Sequence, residues 1–171
     1  MRTIPAFALP ALLLMQSIAS AQPAKPAPAA PPIPNVVLTG KAAVKVLKQC
    51  SRAVPIHVGG YWTPTQSDIK RLETDAPAFL RRQTKAPHYP WSAWACQYVG
   101  YVQSGRRMIY VNCIPRDYAA KVSRADKAVG YKGVDWQHQA FLVADGGHAF
   151  FGMEYDAASH QFRSIHFHQP I

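Results

Sequence analysis

The sequence contains no apolar stretch long enough to cross a membrane. A bilayer of about 30 Å requires roughly 20 apolar residues, whereas the most apolar stretch, residues 6–15, is about half that length. Arg2 precedes this stretch and the small residues Ala19, Ser20 and Ala21 follow it, which is the pattern of an export signal. We therefore predict a signal peptide over residues 1–21 that is cleaved near Ala21. The protein is expected to be exported to the periplasm or the extracellular space and not to be an integral membrane protein.

The sequence also lacks the short motifs of common enzyme classes. It has no H-E-x-x-H, no C-x-x-C, no phosphate-binding glycine loop and no dinucleotide fingerprint. Ser104 lacks the G-x-S-x-G context of a hydrolase nucleophile. These absences do not decide whether the protein is an enzyme, but they favour a protein without catalysis.

Acidic residues are scarce, with nine Asp and Glu against 19 Lys and Arg. Without Arg2 and Lys25, which precede the predicted folded part, 17 basic residues face nine acidic ones, a net charge of +8. Such a surplus attracts acidic partners. The basic residues are scattered and no nucleic-acid-binding motif is present. We expect an acidic protein or an acidic envelope macromolecule as partner, with nucleic acid as the weaker alternative. The sequence contains no pattern that indicates an oligomeric state.

Proline is concentrated in residues 22–34, which read QPAKPAPAAPPIP. Such a segment cannot bury a core and favours extended polyproline geometry. We interpret it as a linker rich in proline and alanine, although a proline-rich ligand for a partner is the alternative. The remaining residues, 35–171, are predicted to form a single α+β domain.

Two segments have helical patterns. In the first, from about Thr39, apolar residues recur at helical spacing and place Cys50 on the buried side. In the second, residues 64–83, Thr63 would cap the helix, with Pro64 in its first position and Pro77 kinking or dividing it.

Only three cysteines are present, which allows one disulfide in an oxidising compartment. Residues 95–103 and 106–114 have strand patterns on either side of Ser104-Gly105, a two-residue hairpin turn. In such a hairpin the numbers of paired residues sum to 209, so Cys96 lies opposite Cys113 in a non-hydrogen-bonded pair, where side chains approach most closely. We predict a Cys96–Cys113 disulfide, with Gln97 and Asn112 facing outward.

The C-terminal part predicts three more strands. Residues 136–144 and 148–156 flank Asp145-Gly146-Gly147, a second hairpin turn, and residues 162–170 follow. The predicted fold class is α+β, with two or three N-terminal helices on one face of an antiparallel sheet of about five strands, a hairpin plus a C-terminal three-stranded meander.

Alternation along these last strands predicts a cluster of polar side chains on one face. It comprises His148, Glu154, Asp156, His166 and His168. A pairing sum of 318 or 320 would set His166 opposite Gly152 or Glu154. Imidazole and carboxylate suit Zn²⁺, so Glu154, His166, His168 and His148 are candidate metal ligands or a general-base site. The alternative is a solvated outer face, and no other cofactor is expected.

Three aromatic residues, Tyr89, Trp91 and Trp94, lie in a short segment that follows Pro87 and contains Pro90. Aromatic side chains on loops are favoured anchors in interfaces, so these three are candidate partner-binding residues. The alternative is that the tryptophans close one end of the core.

Several short motifs resemble those of a group of uncharacterised exported bacterial proteins. They are G-Y-W-T-P at Gly60, Y-V-G-Y at Tyr98, I-Y-V-N at Ile109 and D-G-G-x-x-F-F-G-x-x-Y-D at Asp145. The resemblance implies an α+β domain similar to the cystatin-like arrangement of a helix against an antiparallel sheet. It implies no functional residue.

Two functional hypotheses follow. The first is an exported small binding module of the bacterial envelope, of the inhibitor, immunity or accessory type. The alternative is a metal-binding protein or hydrolase that uses the histidine and glutamate cluster.

Overall fold

The computed structural model describes residues 33–125, 132–144 and 146–169. The predicted signal peptide, nearly all of the linker and Asp145 of the second turn lie outside these residues. The elements in chain order are β1 (Val36–Val37), α1 (Gly40–Val46), β2 (Gly60–Trp62), α2 (Gln66–Arg81), β3 (Trp94–Gln103), β4 (Arg106–Pro115), α3 (Arg116–Ser123), β5 (Phe151–Asp156) and β6 (Gln161–Phe167).

The strands form one mixed sheet in the order β1-β3-β4-β5-β6, and β2 pairs with the other end of β3. The pair β1-β3 is parallel and the other pairs are antiparallel. The predicted α+β class is confirmed. In the described part of the chain, no helix combines the length and apolarity that a membrane span needs.

The first hairpin has the predicted register along its whole length. Gln103 pairs with Arg106 and Cys96 with Cys113, which are joined by a disulfide. The turn residues Ser104 and Gly105 have φ of 50° and 74°, which a two-residue turn matching the twist of its strands requires. The predicted disulfide is confirmed, and with it the numbering rule that placed it.

Helix α2 begins two residues later than predicted. Its N-cap is Thr65, whose hydroxyl accepts from the backbone N–H of Asp68 while Asp68 accepts from the backbone N–H of Thr65. This reciprocal capping box replaces the predicted cap at Thr63. Pro77 lies inside one continuous helix and does not divide it.

Helices cover both faces of the sheet. Helix α2 packs Leu72 and Leu80 on the face that carries the disulfide, whereas Ala43 and Val46 of α1 pack on the opposite face. The second face is therefore not open to solvent. This corrects the outward orientation predicted for Gln97 and Asn112, which are 0% and 1% exposed.

The segment after α1 departs from its predicted path. The helix ends at Val46, so Cys50 leaves the helical face and is an exposed free thiol. The prediction that Cys50 is buried is wrong, because it extended the helical periodicity four residues too far.

Residues 136–144 are not a strand, which corrects the predicted meander. The edge of β4 facing β5 is already paired, and the backbone of this segment is held by side chains instead. Before β5 the chain forms a short 3₁₀ turn, Gly147–Ala149. The pairing of β5 with β6 follows the sum 318, with His166 opposite Gly152, until a bulge after Glu154.

Candidate functional site

The predicted metal cluster is only partly brought together. Glu154 Oε1 lies 3.9 Å from His166 Nε2. This carboxylate also accepts hydrogen bonds from two hydroxyls. Tyr101 donates to Oε2 at 2.5 Å and Ser164 donates to Oε1 at 2.9 Å. Burial, reinforced by the bond to Glu154, raises the pKa of Tyr101, so this hydroxyl remains a donor. The carboxylate is thus engaged within the fold.

The other two predicted ligands lie apart from Glu154. His168 is buried, and its Nδ1 lies 2.7 Å from the Ser51 hydroxyl. His148 is exposed and its ring packs edge-on against Phe167, 5.6 Å between centroids. Within residues 33–125, 132–144 and 146–169, no group of three or more His, Cys, Asp or Glu is arranged to hold a metal ion.

Asp156 does not share the predicted exposed face with these residues. It is 0% exposed and binds Arg163 Nη2 at 2.9 Å as well as Arg106. Its other oxygen accepts from the backbone N–H groups of Ala158 and Ser159. Burial raises the pKa of this carboxyl, but these four hydrogen bonds outweigh it and hold the pKa well below its usual range.

The three candidate partner-binding aromatics have different environments. Trp94 is 1% exposed and packs edge-on against Phe151, so it is a core residue and its prediction as an exposed anchor is corrected. Trp91 is half-buried. Only Tyr89, 58% exposed, has the accessibility that a partner anchor needs.

A buried polar network that the sequence did not predict lies on the sheet face covered by α1. Gln97 donates to the carbonyls of Trp136 and Gln139, and its oxygen accepts from Asn112 and from the backbone N–H of Phe141. Asn112 also donates to the Phe141 carbonyl. These two side chains therefore hold the irregular segment 136–141 against the sheet in place of a neighbouring strand.

Arg52 extends this network. It is 8% exposed; Nε donates to the Tyr110 hydroxyl at 3.0 Å and Nη2 donates to Asn112 Oδ1. Nη1 is buried without a hydrogen-bond partner. Burial lowers the pKa of the Arg52 guanidinium, and the interaction with Tyr110 opposes that shift. A buried guanidinium that has only uncharged partners is uncommon, because its desolvation is usually offset by a carboxylate.

Arg52 also lines a cavity of about 410 Å³ beside β6, here called the β6 cavity. Its other cationic or titratable lining residues are Lys85, His148, His166 and His168. Of the three predicted histidine ligands, His166 is the one that contacts Glu154, but all three line one cavity with Arg52. Sequence reasoning found the histidines and missed Arg52, whose only signal was its position after the predicted helix.

The distribution of charge outside this cavity is uneven. Each of the seven acidic residues in the described ranges accepts a hydrogen bond or forms an ion pair within the protein, whereas no described lysine belongs to a salt bridge. The acidic residues are Asp68, Glu73, Asp75, Asp117, Asp135, Glu154 and Asp156. The surface therefore presents unpaired positive charge.

No family model, curated protein or solved structure matches the chain. The site must therefore be interpreted from its own geometry. The resemblance to exported bacterial proteins stays a prediction.

The Tyr110 ring packs closely against the backbone of Gly152 in β5. A Cβ added at Gly152 would overlap the Tyr110 hydroxyl and lie 2.7 Å from its Cζ. We expect Gly152→Ala to lower the free energy of unfolding by about 2–3 kcal/mol, since the buried ring that accepts from Arg52 must move. Denaturant unfolding measures this. Gly60→Ala is the control, because its Cβ would meet nothing within 4 Å; equal stability of the two variants would contradict the prediction.

Proposed function

We propose that the protein is an exported small binding module of the bacterial envelope whose surface recognises an acidic macromolecular partner. The observation that carries the proposal is the internal pairing of the described acidic side chains. Each of these carboxylates has a hydrogen-bond or ionic partner within the fold, whereas no described lysine belongs to a salt bridge, so the lysine charge is left to act on a partner.

The lysines of the α1 region illustrate this surface. Lys41, Lys45 and Lys48 are exposed within eight residues of each other, and none of the three has an ionic partner in the described part of the chain. Exposed Val44 and Tyr61 border a shallow cavity next to Lys41. A cationic surface with apolar side chains among the charges suits an acidic protein better than a purely ionic polymer.

An acidic protein is preferred over the metal or hydrolase alternative for a geometric reason. Glu154 already accepts from Tyr101 and Ser164. A role as metal ligand or general base would require these hydroxyls to be displaced. The internal pairing of Glu154 therefore favours a binding function.

A charge-reversal variant tests the proposal. We expect Lys41→Glu, Lys45→Glu and Lys48→Glu together to weaken binding to poly-glutamate roughly tenfold or more, because six units of charge change while the core does not. The matched control replaces the same lysines by arginine, which preserves charge. Binding measured by fluorescence anisotropy should be unchanged in the control.

Crosslinking in intact envelopes provides the second readout. The proposal predicts an acidic protein that crosslinks to the wild type and to the arginine control but not to the glutamate variant. Recovery of no partner, or of the same partner with all three forms, would contradict it. Binding to single-stranded DNA that equals binding to poly-glutamate and falls steeply with salt would replace it with the nucleic-acid alternative.

A further inference from the structure

We propose that the β6 cavity is a binding site for an oxyanion, the carboxylate or phosphate group of a small ligand, with Arg52 as its central donor. This site is distinct from the lysine surface of α1. It would take a ligand whether or not the acidic macromolecular partner exists.

One nitrogen of the Arg52 guanidinium has no hydrogen-bond partner. Nε and Nη2 form the fork of the guanidinium that faces the sheet, with Tyr110 and Asn112 as acceptors. Nη1 therefore lies on the side away from these two acceptors, and it is the only nitrogen of the three without a partner. A guanidinium carries five N–H donors and is always charged. The fold leaves the hydrogens of Nη1 for an acceptor that the described chain does not provide.

The missing acceptor should be an anion. Tyr110 and Asn112 are uncharged, so the positive charge of a side chain that is 8% exposed is not neutralised by its partners. Nη1 is buried, so an anion would have to reach it from the β6 cavity that Arg52 lines, and there it would satisfy the orphan donor and the charge together. A neutral carbonyl would satisfy the donor alone.

The lining of the cavity offers hydrogen-bond donors and no negative charge among the described residues. Lys85, His148, His166 and His168 line it together with Arg52, and its lining includes no acidic side chain among the described residues. Glu154 lies 3.9 Å from His166 but already accepts from Tyr101 and Ser164. A bound oxyanion would therefore meet donors at the cavity wall.

The site is also held rigid before a ligand arrives. Asn112, which fixes Nη2 of Arg52, is itself fixed by Gln97 and by the Phe141 carbonyl. Ser51, next to Arg52 in the chain, donates to the Val143 carbonyl and contacts His168. Little side-chain entropy is lost on binding when the donor is already positioned.

Titration with inorganic phosphate and with acetate tests the proposal on the intact protein. At constant ionic strength maintained with sodium chloride, we expect saturable changes in the side-chain NMR signals of His148, His166 and Arg52. We expect Lys85→Gln to weaken the tighter of the two ions about tenfold, since it removes one charged donor. Lys121→Gln makes the same charge change at an exposed site outside the cavity and should leave binding unchanged.

Substitution of Arg52 gives the strongest effect. Arg52→Met should abolish saturable binding, and Arg52→Lys should weaken it at least tenfold, because an ammonium group cannot bind Tyr110 and Asn112 and also present the N–H groups of Nη1. If Arg52→Met does not fold, the comparison of Lys85→Gln with Lys121→Gln still decides. The tighter ion identifies a phosphate or a carboxylate as the recognised group, and either result supports the site.

Three outcomes would overturn the proposal. They are signal changes no greater than those from chloride, equal weakening by Lys85→Gln and Lys121→Gln, and unchanged binding in Arg52→Lys. The glutamate variant of the α1 lysines separates this site from the proposed partner surface. It should retain phosphate or acetate binding while losing poly-glutamate, so failure of either proposal is recognisable independently of the other.

Discussion

Replacing Asp156 with alanine should lower the free energy of unfolding by about 3 kcal/mol. The carboxylate is fully buried and receives four hydrogen bonds, from Arg106, Arg163 and the backbone N–H groups of Ala158 and Ser159. Because the two backbone bonds shape the turn between β5 and β6, the loss affects hairpin geometry as well as charge. The arginines are half exposed and can be hydrated in the variant, which keeps the expected loss at the lower end for a buried pair.

The same carboxylate makes stability depend on pH in one direction. Its pKa in the folded state is depressed below the ordinary value, so its contribution is complete above the unfolded pKa of about 4 and is lost as pH falls toward the folded pKa. We therefore expect wild type and Asp156→Asn to differ most near neutral pH and to converge as the solution is acidified below about pH 4.

Denaturant unfolding at several pH values measures both effects. Asp135→Asn is the matched control, because Asp135 is an exposed carboxylate whose partner, His138, is exposed too. It should leave stability unchanged. A gap between wild type and Asp156→Asn that stays constant from neutral to acid pH would show that the carboxylate stabilises the hairpin without its charge.

The first hairpin could be predicted completely because all its determinants are local. Ser104-Gly105 sets the turn, the turn sets the pairing, and the pairing places Cys96 opposite Cys113. Alternation along the last strands limited His166 to a position opposite Gly152 or Glu154, and the structure has it opposite Gly152. Alternation and turn chemistry are sufficient for these two strand pairs, whereas the same signals wrongly predicted a strand over residues 136–144.

The covering of the second sheet face could not be predicted in the same way. Alternation shows that Gln97 and Asn112 share a face, but it does not show what lies on that face. The contacts that bury them come from Arg52 and from Phe141, separated from Asn112 by 60 and 29 residues. Polar side chains on a strand normally predict a face exposed to solvent. Gln97 and Asn112 instead form a buried network that takes the place of a neighbouring strand.

One part of the candidate site could be predicted from local sequence and the other part could not. The histidines follow from strand alternation, so they could be found and were assigned to a metal. Arg52 lies in an irregular segment with no periodicity, and only its contacts with Tyr110 and Asn112 reveal its role. Its presence changes the chemistry of the cavity, because a buried cation disfavours a second cation and favours an anion.

Removal of the Cys96–Cys113 disulfide has the other large expected effect. The bridge joins residues 17 apart in sequence, and closing a loop of that size in the unfolded chain stabilises the fold by about 3 kcal/mol. Both cysteines are 0% exposed within the core under α2. We expect the double variant Cys96→Ala, Cys113→Ala to unfold roughly 10 °C below the wild type.

Reductant and the third cysteine supply the controls. Cys50 is exposed and unpaired, so Cys50→Ser should leave the unfolding temperature unchanged, and a thiol reagent should label Cys50 alone in the folded wild type. Reductant should lower the unfolding temperature of the wild type and of Cys50→Ser toward that of the double variant, and should not change the double variant itself.

The disulfide also connects stability to the compartment predicted by the N-terminal sequence. A bridge of this kind persists in an oxidising compartment and is kept reduced in the cytosol. Protein made in a reducing cytosol should therefore show the lower unfolding temperature until it is oxidised, whereas exported protein should show the higher one directly. Thiol labelling after unfolding shows whether Cys96 and Cys113 are reduced or bridged in each preparation. If they are reduced in one and bridged in the other, yet the two unfolding temperatures are equal, the hairpin is held by its packing alone.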